Sequence, residues 1–173
     1  MPPRRRAARA GTERVLDAGR ARAVALDLLS RKAWTRRDLV TRLRRRGAPA
    51  EVAGAVVADL EARGYVDDRA FATAWAETRA RGRGYGSRRL RQELVTRGVA
   101  RPLVEAAVRE AFAEADEETR ARAVAARRLP LLRRAAPEQV ARRLGMYLLR
   151  RGYPESLVRR VVRDACGTAL VND

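Results

Sequence analysis

The chain has 173 residues and a formal net charge of +18, and no segment approaches the roughly 20 consecutive apolar residues of a membrane-spanning helix. It has no histidine and one cysteine, Cys166, which excludes a serine–histidine–aspartate triad, a cysteine–histidine zinc site and an internal disulfide framework. All 39 basic residues except Lys32 are arginines, and such an excess of positive charge attracts polyanions. We therefore expect a cytoplasmic, non-enzymatic protein with no cofactor or metal. Its expected partner is nucleic acid, with an acidic protein surface as the main competitor.

The first predicted repeat covers residues 12–66 and follows a basic segment, residues 1–11, which we expect to be a disordered tail. Its first helix is predicted over about 13–32 from the spacing of apolar residues. Thr35 together with Asp38 matches a capping box at the start of a second helix. A third helix follows after a short turn.

The second predicted repeat covers residues 67–115 and again contains three helices. Its first helix is predicted over about 68–80, with Asp67 as the residue that caps its N-terminus. The next is predicted over about 87–97, and Ser87 is a plausible cap for it. The acidic segment that closes this repeat marks the clearest change in composition along the chain.

The third predicted repeat covers residues 116–167. Its first helix is predicted over about 117–134, and Pro130 should kink or divide it because proline lacks the amide hydrogen that a helix interior needs. Pro137 suits the first position of the following helix, where that hydrogen has no partner anyway. We expect residues 168–173 to form a second disordered tail.

The three repeats align on a glycine that follows the last apolar residue of each second helix, namely Gly47, Gly98 and Gly152. A leucine precedes each of these glycines by four residues and another by eight, and apolar residues recur five and ten positions after it. Leucines four apart share one helical face, and glycine accepts the left-handed conformation that ends a helix. The sequence therefore predicts an all-α protein, an elongated array of three tandem three-helix repeats with about nine helices.

Two aromatic residues and two carboxylate pairs have structural interpretations. Trp34 and Trp75 are expected in the cores of their repeats. The pairs Asp67–Asp68 and Glu117–Glu118 stand at predicted helix starts, where the helix dipole favours acidic side chains. We expect them to cap helices rather than to catalyse a reaction.

The segment "RARGRGYGSRRL", residues 79–90, places three glycines at alternate positions among arginines. It is neither a dinucleotide fingerprint nor a Walker loop, because a helix precedes it, no lysine is present and the glycine spacing differs. Two interpretations stay open. The segment is a plain flexible hinge between helices, or it is a hinge whose arginines also contact phosphate or an acidic surface.

Candidate contact residues cluster around this segment and around the basic runs that end the second helices. If the repeats stack in one direction, arginines on their outer faces form a continuous basic track; the alternative is an ordinary solvated surface. Tyr85 is included because it could stack on a base, although packing under its own loop is the alternative. The candidates are Arg42, Arg45, Arg79, Arg81, Arg83, Tyr85, Arg88, Arg89, Arg91, Arg150 and Arg151.

Three stretches of the chain resemble the RecX family of bacterial regulators of the RecA recombinase. "LEARGYVDDRAFATAWAETR" (60–79) is similar to the central signature of the family, in which a glycine, an apolar pair and an aspartate precede a helix that opens with Phe-Ala. "GYGSRRLRQELVTRGV" (84–99) resembles the block that follows, and "ALDLLSRKAWTRRDLVTRLRRRG" (25–47) resembles the opening block. The resemblance covers residues 21–166.

The resemblance implies a helical regulator that binds in the groove of a RecA–single-stranded DNA filament and usually inhibits the recombinase and its ATPase. It implies the RecA filament and single-stranded DNA, with duplex DNA as a further possibility, as partners of a monomeric protein that contacts no membrane. The alternative function is a regulator of the helix-turn-helix kind that acts on duplex DNA. An enzyme is disfavoured by the residue types that the chain lacks.

Overall fold

The computed structural model describes residues 16–132 and 136–171, and within these ranges every regular element is helical. The predicted tail 1–11 lies outside the described residues. The α-helices are α1 Ala18–Arg31, α2 Arg36–Arg45, α3 Ala50–Ala62, α4 Asp68–Arg83, α5 Ser87–Thr96, α6 Arg101–Ala111, α7 Glu117–Arg128, α8 Pro137–Arg150 and α9 Glu155–Val171. A short 3₁₀-helix, Leu129–Leu131, follows α7. The all-α prediction of three three-helix repeats is confirmed.

The same turn joins the second and third helices of every repeat. Gly47, Gly98 and Gly152 have φ values of 92°, 79° and 85°, a conformation that side chains disfavour. In the first repeat the amide of Gly47 donates to Arg44 and the amide of Ala48 donates to Leu43, and the same two bonds recur in the other two repeats. The predicted glycine turns are therefore present in all three copies.

The chain forms two compact units, one ending at Val66 and one beginning at Asp67. In the first unit, α1, α2 and α3 enclose an aliphatic cluster centred on Leu39, Leu43 and Val57. Thr35 caps α2 by accepting from the amide of Asp38 at 3.1 Å, as predicted. Trp34 is half-buried against this cluster, and its indole donates to the carbonyl of Leu28 at 3.1 Å.

The second unit contains two aliphatic clusters, one for α4 to α6 and one for α7 to α9. Leu90 and Leu94 are fully buried in the first cluster, and Leu144 and Leu148 are fully buried in the second. The leucine columns read from the sequence are thus the centres of all the cores. The leucines occupy these central positions because burying each leucine side chain stabilises the fold by about 2 kcal/mol.

Several helix boundaries agree with the sequence. Asp67 caps α4 by accepting from the amide of Ala70 at 2.9 Å. Proline stands at the start of α8, and α7 gives way to the 3₁₀-helix one residue before Pro130. The aspartate before α1, Asp17, is a cap that the sequence reading missed, and it begins the helix at Ala18 rather than near 13.

Other boundaries differ from those predicted. Helix α4 continues to Arg83, three residues beyond its predicted end, because Gly82 is accommodated within it. Ser87 does not cap α5: Gly86 occupies the cap position and Ser87 is the first helical residue. Helix α9 runs to Val171, so the segment predicted to be a tail from 168 continues the helix, and residues 172–173 lie outside the described residues.

Candidate nucleic-acid interface

The glycine-rich segment forms a rigid junction between the second and third repeats. Gly84 ends α4 in the left-handed conformation with φ 60°. The amide of Gly86 donates to the carbonyl of Arg151 at 2.8 Å, and the amide of Arg88 donates to the carbonyl of Gly152 at 3.0 Å. A Cβ atom on Gly86 would lie 2.6 Å from backbone atoms of Gly152. The prediction of a flexible hinge is therefore wrong, because Gly86 permits two backbones to approach closely and to form hydrogen bonds across the junction.

Arg89 forms a hydrogen bond across this junction and covers a buried tyrosine. Its Nη1 donates to the carbonyl of Arg150 at 3.0 Å and its Nε donates to Glu93 at 3.2 Å. Its guanidinium lies 3.9 Å from the centre of the Tyr85 ring, and only 8% of Tyr85 is exposed. Tyr85 therefore packs beneath its own loop instead of presenting a face to a base, and Arg89 has a structural role.

Other predicted contact residues already have partners within the second unit. Arg81 pairs with Glu114 at 2.7 Å, and the Nε–H of Arg91 is shared between the two carboxylate oxygens of Glu105, at 3.0 Å from each. Arg79 lies 4.1 Å from the ring centre of Trp75, a half-buried residue of the α4–α6 core. These three arginines contribute to packing and local charge balance as well as to the positive field.

Five predicted arginines are exposed, and their side chains have no hydrogen bond or ion pair with any other residue in the described ranges. Such guanidinium groups keep all their donors for a ligand. Two of them belong to α2 in the first unit and three to the second unit. They are Arg42, Arg45, Arg83, Arg88 and Arg150.

The second unit also contains a cavity of about 270 Å³ between the end of α4, the middle of α7 and the end of α8. No carboxylate lines it, and its other lining residues are alanine, glycine and valine. We call it the arginine cleft, and it is defined by Arg81, Arg83, Arg120, Arg127, Tyr147 and Arg151.

Three of the five cleft arginines, Arg81, Arg83 and Arg151, are among the residues predicted from the sequence. Arg120 and Arg127, on α7, are not among them, because they lie outside the glycine-centred segments. The signal was nevertheless present in "TRARAVAARR", residues 119–128, where arginines seven apart fall on one helical face. Tyr147 was missed because nothing in its local sequence distinguishes it from a core residue.

Local contacts hold several cleft side chains in place. The Nε of Arg120 donates to the carbonyl of Ala115 at 3.1 Å. The ring of Tyr147 has the guanidinium groups of Arg151 and Arg128 at 4.6 and 4.9 Å from its centre. Arg127, by contrast, is exposed and forms no hydrogen bond or ion pair with another described residue. The cleft thus combines fixed and unengaged guanidinium groups.

The acidic residues at the start of α7 are engaged away from the cleft. The Asp116 carboxylate caps the helix by accepting from the amide of Thr119, and this hydrogen bond holds the pKa of Asp116 below its ordinary value. Glu117 accepts from the amide of Ser87 at 2.7 Å, and Glu118 pairs with Arg160 at 2.8 Å. The predicted capping role of Glu117 and Glu118 therefore belongs to Asp116, whereas Glu117 makes a contact across the junction and Glu118 an ion pair.

Neither a metal centre nor a membrane span is found in the part of the chain that the structure describes. No three histidine, cysteine, aspartate or glutamate side chains come together there as ligands. No described helix combines the length and apolar character needed to cross a bilayer. Cys166 is half-buried, and burial raises the pKa of its thiol.

The fold and the charge together define a class of protein, a basic all-helical protein built from three three-helix domains. Three family models match the chain: the RecX first three-helix domain over residues 21–60, the second over 67–108 and the third over 116–162. The chain belongs to the RecX family. The resemblance inferred from the sequence is confirmed by these matches.

Relatives and solved structures agree with this assignment. The "Regulatory protein RecX" of Streptomyces coelicolor is 43% identical over 84% of this chain and 77% of its own length. That of Thermobifida fusca is 45% identical over 84% of this chain and 78% of its own length. The crystal structure of RecX from Lactobacillus salivarius has a TM-score of 0.74 at 14% identity, covering 86% of this chain and 96% of that one. At that identity the structural match establishes the fold alone.

Proposed function

We propose that this chain regulates the RecA recombinase by binding along the RecA–single-stranded DNA filament, and that the usual effect is inhibition. Membership of the RecX family carries this proposal, because matches to all three domains span most of the chain. The net charge of +18 and the unpaired exposed arginines add a physical reason to bind a polyanionic assembly.

Repetition suits a filament as partner. A filament presents the same subunit and the same length of DNA at regular intervals, so successive helical domains can make successive weak contacts. Linked contacts strengthen one another, because after the first has formed the next occurs at high effective concentration. A protein held in this way inhibits by occupancy: it bridges neighbouring subunits or prevents the addition of the next one.

Regulation by binding also agrees with the residue types of the chain. There is no histidine to act as a general base near neutral pH. The carboxylates that stand in pairs at helix starts cap helices or pair with other groups, as at Asp67 and Glu118. We propose that the protein is non-enzymatic, monomeric and cytoplasmic. The molar mass from light scattering of the purified chain tests whether it is a monomer.

Sequence-specific reading of duplex DNA is the less favoured function. A reading helix presents arginine, asparagine or glutamine to the base edges of the major groove. The exposed positions of α3, the last helix of the first domain, include Ala55, Ala58 and Glu61. Two alanines offer no hydrogen bonds and a glutamate is repelled by phosphate, so this helix is poorly suited to enter a groove.

The proposal is tested by the ATPase activity of RecA on single-stranded DNA at increasing concentrations of this protein. We expect progressive inhibition, together with co-sedimentation with RecA–DNA filaments that exceeds sedimentation with either component alone. Unchanged ATPase and strand exchange at saturating protein would refute the proposal. A footprint at one preferred duplex site, without an effect on RecA, would favour the alternative.

A further inference from the structure

We propose that the arginine cleft between α4, α7 and α8 is the site at which this protein binds the phosphate groups of a single nucleic-acid strand. The proposal deepens the filament-binding function and rests on it for its biological setting. The binding itself is a property of this chain and can be measured without the recombinase.

Charge is the first argument. Five guanidinium groups line the cleft and no carboxylate does. Only one of the five, that of Arg81, pairs with an acidic side chain, Glu114, and both partners of that pair are largely exposed. The C-terminal ends of α4 and α8 both reach the cleft, and each brings a partial negative charge of about half a unit. That opposing charge is small beside the four cationic groups that lack an acidic partner among the described residues.

Guanidinium chemistry is the second argument. A planar guanidinium presents parallel N–H donors that match two oxygens of a phosphate, so phosphate groups are bound by arginine more specifically than by a point charge. The side chains of Arg83 and Arg127 make no hydrogen bond or ion pair within the described ranges, so none has to be broken when a ligand arrives. Their exposure leaves them open to a strand approaching from solvent.

Rigidity is the third argument. The carbonyl of Arg151 accepts from the amide of Gly86 at 2.8 Å, which fixes the backbone of this cleft residue to the second domain. A Cβ atom on Gly84, also in the cleft, would lie 3.4 Å from Arg151 Nη1 and 2.6 Å from Val124 on α7. The walls are therefore in contact before a ligand binds, and the binding free energy is not spent on assembling them.

Size favours a strand over a whole nucleotide or a duplex. The volume of about 270 Å³ lies below the 300 to 1,000 Å³ that is typical of sites for drug-sized ligands. Phosphate groups with their sugar links fit such a space, while the bases stay outside. A single strand can bend its backbone into a concave site, whereas the phosphates of a duplex are held on a stiff helix.

The test is the fluorescence anisotropy of a labelled oligo(dT) titrated with the full chain at several salt concentrations. The cleft variant is the double substitution Arg83→Ala with Arg127→Ala. The matched control is Arg109→Ala with Arg163→Ala, which removes two arginines of the second unit that are likewise exposed and likewise lack ion pairs within the described ranges. Circular dichroism establishes that each variant keeps the helical fold.

We expect the cleft variant to lose at least tenfold in affinity and the control to lose less than threefold. The slope of log affinity against log salt should fall by about 1.4 in the cleft variant, since each phosphate contact on a single strand contributes about 0.7. Equal losses in both variants would show a diffuse positive field and overturn the proposal. Three competitors identify the ligand chemistry.

Displacement of the oligonucleotide by unlabelled oligo(dT), and much weaker displacement by poly-glutamate or by inorganic triphosphate, supports a strand site. Equal displacement by poly-glutamate would assign the cleft to an acidic protein surface and overturn the phosphate assignment. Tighter binding of triphosphate would assign it to a free phosphate ligand and overturn the strand assignment. Cleft-dependent DNA binding without an effect on RecA ATPase would refute only the proposed function. Inhibition of RecA with equal DNA affinity in the cleft and control variants would refute only the proposal that the cleft binds the strand.

Discussion

Replacing Gly86 with alanine probes the junction between the second and third domains. The φ value of Gly86 is −83°, which alanine adopts without backbone strain, so any destabilisation comes from steric overlap of the new Cβ atom. The new Cβ would lie 2.6 Å from the carbonyl carbon and oxygen of Gly152 and from the amide nitrogen of Tyr153. These are backbone atoms and cannot rotate aside, so α5 and the α8–α9 turn must separate.

Separation breaks the two backbone hydrogen bonds that cross the junction, from Gly86 to Arg151 and from Arg88 to Gly152. At about 1 kcal/mol each, with some lost packing, the expected destabilisation is about 2 to 3 kcal/mol. For a unit of this size each kcal/mol lowers Tm by about 4 °C, so the fall should be about 8 to 12 °C. Differential scanning calorimetry or thermal circular dichroism measures it.

Gly82→Ala is the matched control, because it makes the same change four residues earlier. A Cβ there meets no atom within 4 Å, and the residue lies within helix α4. Alanine should therefore stabilise the protein by about 0.5 to 1 kcal/mol. If Gly86→Ala melted at or above the temperature of Gly82→Ala, the junction would be loose and the close-approach argument would be refuted.

Two further predictions concern titratable side chains. Tyr153 is 1% exposed, its hydroxyl finds no hydrogen-bond partner among the described residues, and burial raises its pKa to about 12. Tyr153→Phe should therefore leave stability at pH 7 unchanged or raise it by up to about 1 kcal/mol. The wild type should lose stability between pH 10 and 12, where Tyr153 ionises only on unfolding, and the variant should not. Urea unfolding at pH 7 and between pH 10 and 12 measures both effects, and a marked loss of stability at pH 7 would contradict the assignment. Asp116 has a lowered pKa through its hydrogen bond from the amide of Thr119, so its contribution is present above pH 3.8 and is lost as the pH falls below that value. Asp116→Ala should lower Tm by more at pH 7 than near pH 2, and an equal difference in Tm at both pH values would argue against the cap.

The sequence was most informative where structure depends on neighbours along the chain. The helix cap at Asp67, the break before Pro130 and the left-handed turn at Gly98 each follow from the chemistry of a few consecutive residues. The leucine columns were equally clear, because a helical face is set by residues three or four apart. Family membership was readable for the same reason, since its signatures are contiguous.

The sequence was less informative about the arginines, because their partners are distant in the chain. The sequence around Arg89 predicts an exposed side chain, yet its guanidinium donates to the carbonyl of Arg150 and covers the ring of Tyr85. Arg81 resembles any other arginine of the basic run, but Glu114 pairs with it. Which guanidinium groups remain unengaged is decided by tertiary contacts within and between domains, and no local sequence pattern predicts it.

By itself the sequence determined the helices, their turns and the aliphatic faces of three domains, because those depend on short-range periodicity and on the conformational freedom of single residues. Only the tertiary structure decided what the glycines near residue 84 are for. The carbonyl that accepts from the Gly86 amide is 65 residues away along the chain, at Arg151. The arginine cleft was decided in the same way, since its walls come from α4, α7 and α8 and exist only when the second and third domains are packed together.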